Sequence, residues 1–184
     1  MNASPAHSGI VTLLLVGSLV GCAPGPLLRP LSPPTAVQFG TVTAEIALPP
    51  SMKRRAATDI SDSMFQSHWW DQIRSGDKST GLRVVVDVTP RLVAPKSVEE
   101  AAGKSCVRMR QGSVLRKSEE GGGFEYVCHV PTGVSALWFA RSVPLADGSR
   151  LTCEASLAPL EEASKIPEVL PDLERICRSL RVRP

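Results

Sequence analysis

The chain is poor in the residues that most often perform chemistry. Only three of its 184 residues are histidine, and aromatic residues make up 4%. His68 and His129 lie far apart, so they lack the three- or four-residue spacing that puts two zinc ligands on one helix face. The five cysteines include no Cys-x-x-Cys, which argues against a zinc ribbon or a thioredoxin-type redox centre. No Gly-x-Ser-x-Gly occurs. The nearest stretch, Gly133-Val134-Ser135-Ala136-Leu137, lacks the second glycine and reads as a turn entering a strand. Gly76-Asp77-Lys78-Ser79-Thr80-Gly81 lacks the spacing of a phosphate loop and precedes a strand instead of a helix. Adjacent Glu119 and Glu120 point apart on extended chain, so they do not form an acid/base pair. These absences predict a protein that is not an enzyme, with no catalytic residues, no cofactor and no metal.

Strong charge and long apolar runs are also missing. A net charge of +3 supports solubility and does not argue for nucleic acid. A membrane-crossing helix needs about 20 apolar residues. The run Ile10–Val20 is shorter, and no later segment reaches that length.

That short run ends in Leu19-Val20-Gly21-Cys22. Its length suits the apolar part of a signal peptide, with Gly21 as the small residue before cleavage. The quartet resembles the lipobox of bacterial lipoproteins. The resemblance implies a signal peptide over residues 1–21, acylation of Cys22, and Cys22 as the first mature residue. Ala23, in place of Asp, implies an outer-membrane lipoprotein facing the periplasm. Residues 1–21 contain no Lys or Arg, where a basic start is usual. A plain secretory peptide with a free Cys22 is therefore the alternative.

The other cysteines are Cys106, Cys128, Cys153 and Cys177. An even number in an exported chain reads as two disulfides. Residues 22–36 carry proline at high density and read as an extended tether. Residues 37–184 then form one domain.

Within the domain, strands are predicted at Val42–Leu48, Phe65–Ile73, Leu82–Val88, Val114–Lys117, Phe124–Val130, Ala136–Val143 and Leu151–Leu157. Residues 51–63 read as a loop or short helix, whose Lys53-Arg54-Arg55 is a solvated basic stretch. Ser97-Val98-Glu99-Glu100 fits a capping box. It opens a helix to about Arg110, with Val98, Ala102, Cys106 and Met109 on one face. Pro167 opens a second helix whose stripe is Val169, Leu173, Ile176, Cys177 and Leu180. This order predicts an α+β fold: an antiparallel sheet of about six to seven strands with two helices packed on it and two disulfides. Cysteines on helix stripes and inward strand faces favour Cys106–Cys128 with Cys153–Cys177. Cys128–Cys153 with Cys106–Cys177 stays open.

His68-Trp69-Trp70-Asp71 is the unusual local cluster. Adjacent residues on a strand face opposite ways, so one tryptophan enters the core and the other does not unless a helix covers it. An exposed Trp beside His68, Asp71 and Arg74 would suit a protein partner or a glycan. The competing reading makes one Trp core and packs the other under the 51–63 loop.

Glu45-Ile46-Ala47-Leu48-Pro49-Pro50 at the start and Ile176-Cys177-Arg178-Ser179-Leu180 at the end resemble the Mog1/PsbP-type sandwich. The resemblance implies that fold and no catalytic residues. The build also resembles small envelope immunity proteins. The expected function is thus a membrane-anchored, non-catalytic protein-binding module, such as an immunity-type inhibitor of a secreted antibacterial effector. The alternative is an accessory subunit of an envelope or secretion machine, and an enzyme acting on peptidoglycan or lipid is the weaker possibility. The expected partners are a membrane, through lipid on Cys22, and a protein.

Overall fold

Leu82, Val84 and Val86 alternate with Arg83, Val85 and Asp87 along β5 (Gly81–Thr89), and the three apolar side chains are buried. The alternation fixes which face of the sheet each residue occupies. It sets the register of the molecule, seen in a computed structural model that describes residues 30–55, 66–73, 81–131, 133–160 and 162–183. The signal segment, Cys22 and most of the tether lie outside the described residues.

The main sheet has seven antiparallel strands in the order β3-β4-β5-β9-β8-β7-β6. They are β3 (Lys53–Arg54), β4 (Gln66–Ile73), β5, β6 (Ser113–Glu120), β7 (Gly123–Val130), β8 (Ala136–Pro144) and β9 (Arg150–Ala158). Strand count and α+β class agree with the sequence reading. Two features differ. Lys53 and Arg54 form an edge strand where a loop or helix was expected. The strand with Ala44 and Ile46 belongs instead to a second sheet, β1 (Thr35–Phe39), β2 (Val42–Ile46) and β10 (Arg181–Val182), in the order β1-β2-β10. β1 starts two residues ahead of the expected domain start. The Ser32 N–H donates to the Leu48 carbonyl at 2.8 Å, and Leu31 packs on the core.

Register assigns the two faces of the main sheet. Val127, Phe139, Ala155 and Val84 are successive partners across β7, β8, β9 and β5 and share one face. The small sheet and α2 (Ile166–Arg178) cover it, bringing Val37, Phe39, Ile46, Leu173 and Ile176 into the larger core. Cys128, Trp138, Ser156 and Arg83 share the other face. There α1 (Val98–Ala102) packs on β6 and β7 with Phe124 and Tyr126 beneath it. The two helices thus lie on opposite faces, and each is tied to its own side by one disulfide. Cys106–Cys128 has Cα atoms 5.7 Å apart, and Cys153–Cys177 has them 5.4 Å apart.

The first helix starts as its capping box requires: the Ser97 side chain accepts from the Glu100 N–H. It does not continue as an α-helix. Gly103–Met109 winds as a π-helix, whose i→i+5 bonds take more residues per turn. Val98, Ala102 and Cys106 stay buried, while Met109 rotates out of the stripe and is 71% exposed. Gln111 ends the segment at φ 54°, and the Gly112 N–H donates to the Cys106 carbonyl at 2.9 Å. Gly112 passes so close to the disulfide that a Cβ there would lie 2.8 Å from Cys128 Sγ.

Candidate functional site

β4 divides the expected cluster between the two faces. Trp70 enters the larger core at 4% exposure. His68 lies on the same face, its ring edge-on to Phe39 at 4.8 Å. His68 Nε2 is 3.0 Å from the Gln38 carbonyl, and Nδ1 contacts the Arg54 guanidinium. One tautomer serves both contacts, with Nε2–H donating and Nδ1 accepting. His68 therefore joins the two sheets.

Trp69 and Asp71 occupy the other face. Arg55 Nε is 2.6 Å from Asp71 Oδ2, Arg83 Nε is 3.0 Å from Oδ1, and the Arg83 guanidinium stands 5.4 Å from the centre of the Trp69 ring. Arg74 lies outside the described residues. The four described residues of the cluster thus divide between the two faces; the group that shares this face is Trp69, Asp71, Arg55 and Arg83.

The same face carries a polar network that the sequence reading missed. Glu154 on β9 receives Arg110 at 2.6 Å, the Ser105 hydroxyl at 3.2 Å and the Tyr126 hydroxyl at 3.3 Å. Arg110 also stacks over Trp138 at 4.0 Å and donates to the Ser105 carbonyl at 3.0 Å. The end of the π-helix is thereby held to β8 and β9. Burial, with Glu154 beside it, pushes the Tyr126 phenol above its ordinary range and keeps it protonated.

Asp87 stands one row further along the sheet, opposite Thr152. Its Oδ1 is buried without a hydrogen-bond partner. Burial first, and the charge of Glu154 second, push its carboxyl up to about 7. Asp87, Thr152 and Glu154 line a cavity of about 330 Å³ that the π-helix closes with Ser105 and Met109, and the loop before α1 with Val93. A signal for this site existed in Arg83, Val85 and Asp87, and in Thr152, Glu154 and Ser156. These residues put charge on one side of two central strands.

A larger cleft of about 540 Å³ borders Glu125, Arg141 and Arg178. Three of its charges pair: Arg178 Nη2 is 2.7 Å and Arg141 Nε 3.6 Å from the Glu125 carboxylate. His129 Nε2 and Ser135 Oγ are 3.4 Å apart, but among the described residues no carboxylate hydrogen-bonds to His129. Among the described residues no group of three or more potential ligands could hold a metal, and no helix is long and apolar enough to cross a membrane.

The sequence matches no protein-family model and no curated protein. Solved structures place the architecture. A point mutant of the protein Mog1 aligns at TM-score 0.55 with 12% identity, over 82% of this chain and 96% of that one. The Saccharomyces cerevisiae Ran-binding protein Mog1p aligns at 0.55 with 13% identity, over 81% and 95%. LpqN of Mycobacterium tuberculosis, involved in cell envelope biogenesis, aligns at 0.54 with 12% identity, over 83% and 91%. The domain therefore has the Mog1-type sandwich fold. At these identities the likeness concerns the fold alone.

Proposed function

We propose that this protein is an envelope lipoprotein, anchored by lipid on Cys22, whose Mog1-type domain binds another envelope protein and carries out no catalysis. One observation carries the binding reading. One face of the sheet is covered by α2 and the second sheet. On the other face the π-helix and the loop before α1 stand over Asp87 and Thr89 of β5, while Trp69, Arg83 and Val85 are half-buried. Aromatic and arginine side chains in such a position are the usual anchors of a protein interface. The lipobox resemblance supports the anchor, and the two disulfides suit an oxidising compartment. The involvement of LpqN, a protein of the same fold, in cell envelope biogenesis supports an accessory role in the envelope.

Site-specific photocrosslinking tests the reading in cells. A benzophenone side chain at Val85 is expected to trap one envelope protein in stoichiometric amount. The same group at Leu115, on the edge strand β6, is expected to trap no other protein. Equal adducts from both positions, or none from either, would overturn the binding reading. Cleavage of purified sacculi or phospholipid by the pure protein would overturn the non-catalytic one.

A further inference from the structure

We infer that two copies of this chain pair antiparallel along β6, centred on Ser118, so that their main sheets join into one. The inference goes beyond the binding reading above and uses the opposite end of the sheet.

β6 is the last strand in the order, bonded to β7 on one side only. All its residues are exposed except Val114, which is half-buried. The free side of such a strand offers N–H and C=O groups to another strand. Past a bulge between Val114 and Arg116, the run Arg116–Glu120 keeps regular register with β7. Arg116, Ser118 and Glu120 stand opposite Val127, Glu125 and Gly123, on the face that α2 covers. Lys117 and Glu119 stand opposite Tyr126 and Phe124, on the face of α1.

The charges choose the occupant. Two cations precede Ser118 and two anions follow it, with one of each sign on each face. A second copy related by a two-fold axis perpendicular to the sheet runs antiparallel and keeps like faces together. With the axis at Ser118, Arg116 meets Glu120 of the second copy on one face, and Lys117 meets its Glu119 on the other. The axis repeats both contacts. Every opposed pair is then of unlike sign, which stabilises cross-strand neighbours. An axis at Lys117 or at Glu119 would set like charges against each other. Within one chain, Lys117 Nζ is 2.9 Å from Glu99 and Arg116 pairs with Glu174, and both cations keep half their side-chain surface exposed. Glu119 and Glu120 form no ion pair among the described residues, and a second copy supplies their cations. A partner strand of one sign would be repelled by half of this edge. Charges on an edge strand deter indiscriminate pairing; this set deters all but its own reversed copy.

Sedimentation equilibrium of the disulfide-intact full chain, in density-matched detergent, tests the pairing. The wild type should dimerise with a Kd on the order of 10–100 µM, as suits a small interface. The affinity should fall about tenfold in about 0.5 M salt, where exposed charges are screened. Glu119→Lys/Glu120→Lys removes no ion pair from the single chain, so it should keep the wild-type urea midpoint and dimerise at least tenfold more weakly. Arg116→Glu/Lys117→Glu should also dimerise weakly by itself. An equimolar mixture of the two variants should recover wild-type affinity, because all opposed pairs are again of unlike sign. A wild-type chain that stays monomeric at about 1 mM, or a dimer of unchanged affinity in folded Glu119→Lys/Glu120→Lys, would overturn the pairing. A mixture of the two folded variants no tighter than either alone would overturn the register at Ser118. Trp69 and Val85 lie on β4 and β5, away from this edge, so failure here leaves the crosslinking from Val85 untouched.

Discussion

Cys128 and Cys153 lie on strands separated only by β8, yet they face opposite sides of the sheet. Cys128 is level with Trp138 and Cys153 with Arg141, and residues of odd and even number on β8 point opposite ways. A bond between them would have to pass through the sheet. Each instead reaches the helix on its own side. Non-reducing peptide mapping should yield only Cys106–Cys128 and Cys153–Cys177, and a Cys128–Cys153 peptide would contradict the fold. Closing loops of 22 and 24 residues contributes about 3 kcal/mol each. A Cys153→Ser/Cys177→Ser double variant should lose that amount in denaturant titration.

Trp69 and Trp70 are adjacent and should respond differently. Trp70→Ala empties a position at 4% exposure and should cost about 3–5 kcal/mol. Trp69→Ala removes a half-buried ring and should cost about 1 kcal/mol, leaving a native far-UV spectrum. Its larger effect should be on crosslinking from Val85. Equal, severe destabilisation by both variants would show that Trp69 is structural and remove it from the binding face.

Asp87 should make the protein less stable as pH rises. Its folded pKa, about 7, lies above the ordinary value of 3.8, so between those values the folded state holds more protons than the unfolded. Stability contributed by the neutral carboxyl is full below about pH 4 and is lost as pH rises to 7. The displacement corresponds to at most about 4 kcal/mol. Asp87→Asn should flatten this part of the pH–stability curve and raise stability at pH 8. An unchanged slope in the variant would contradict the unpaired state of Asp87.

Gly112 has no room for a side chain. A methyl group there would meet Cys128 Sγ at 2.8 Å and the His129 carbonyl oxygen at 2.9 Å. Gly112→Ala should cost about 1–3 kcal/mol. Gln111→Gly should be neutral or slightly stabilising, because glycine enters the left-handed region freely. Urea titration of the two variants separates the effects; equal loss in both would contradict the close approach.

Period-2 alternation and the capping box made most strands and both helix starts legible. Leu82, Val84 and Val86 announce β5 because every second residue must be buried. Ser97 and Glu100 announce α1 because the chemistry is local. What stayed hidden depends on contacts distant in sequence. Nothing in Gly103–Met109 itself specifies π winding, which turns Met109 outward while Cys106 still reaches Cys128. β1 and β3 are only five and two residues long, and the small sheet is completed by β10 from the far end of the chain. The candidate site was hidden for the same reason: Asp87, Arg110, Tyr126 and Glu154 come from three strands and the end of a helical segment, and only register brings them together. The His68–Asp71 cluster was visible because it is contiguous, and its division between the faces follows from strand periodicity. On a strand, neighbours in sequence are divided between faces, so His68 and Trp70 serve the core while Trp69 and Asp71 face the other way.

Lipid on Cys22 is the central element of the proposed function, because it holds the domain at a membrane. The most direct measurement is the intact mass of the protein isolated from membranes, for wild type and Cys22→Ser. The wild-type chain should begin at Cys22 and carry the added mass of acyl groups, and the variant should lack them and leave the membrane fraction. An unmodified Cys22, or a Cys22→Ser variant of unchanged modification that stays membrane-bound, would contradict the lipid anchor.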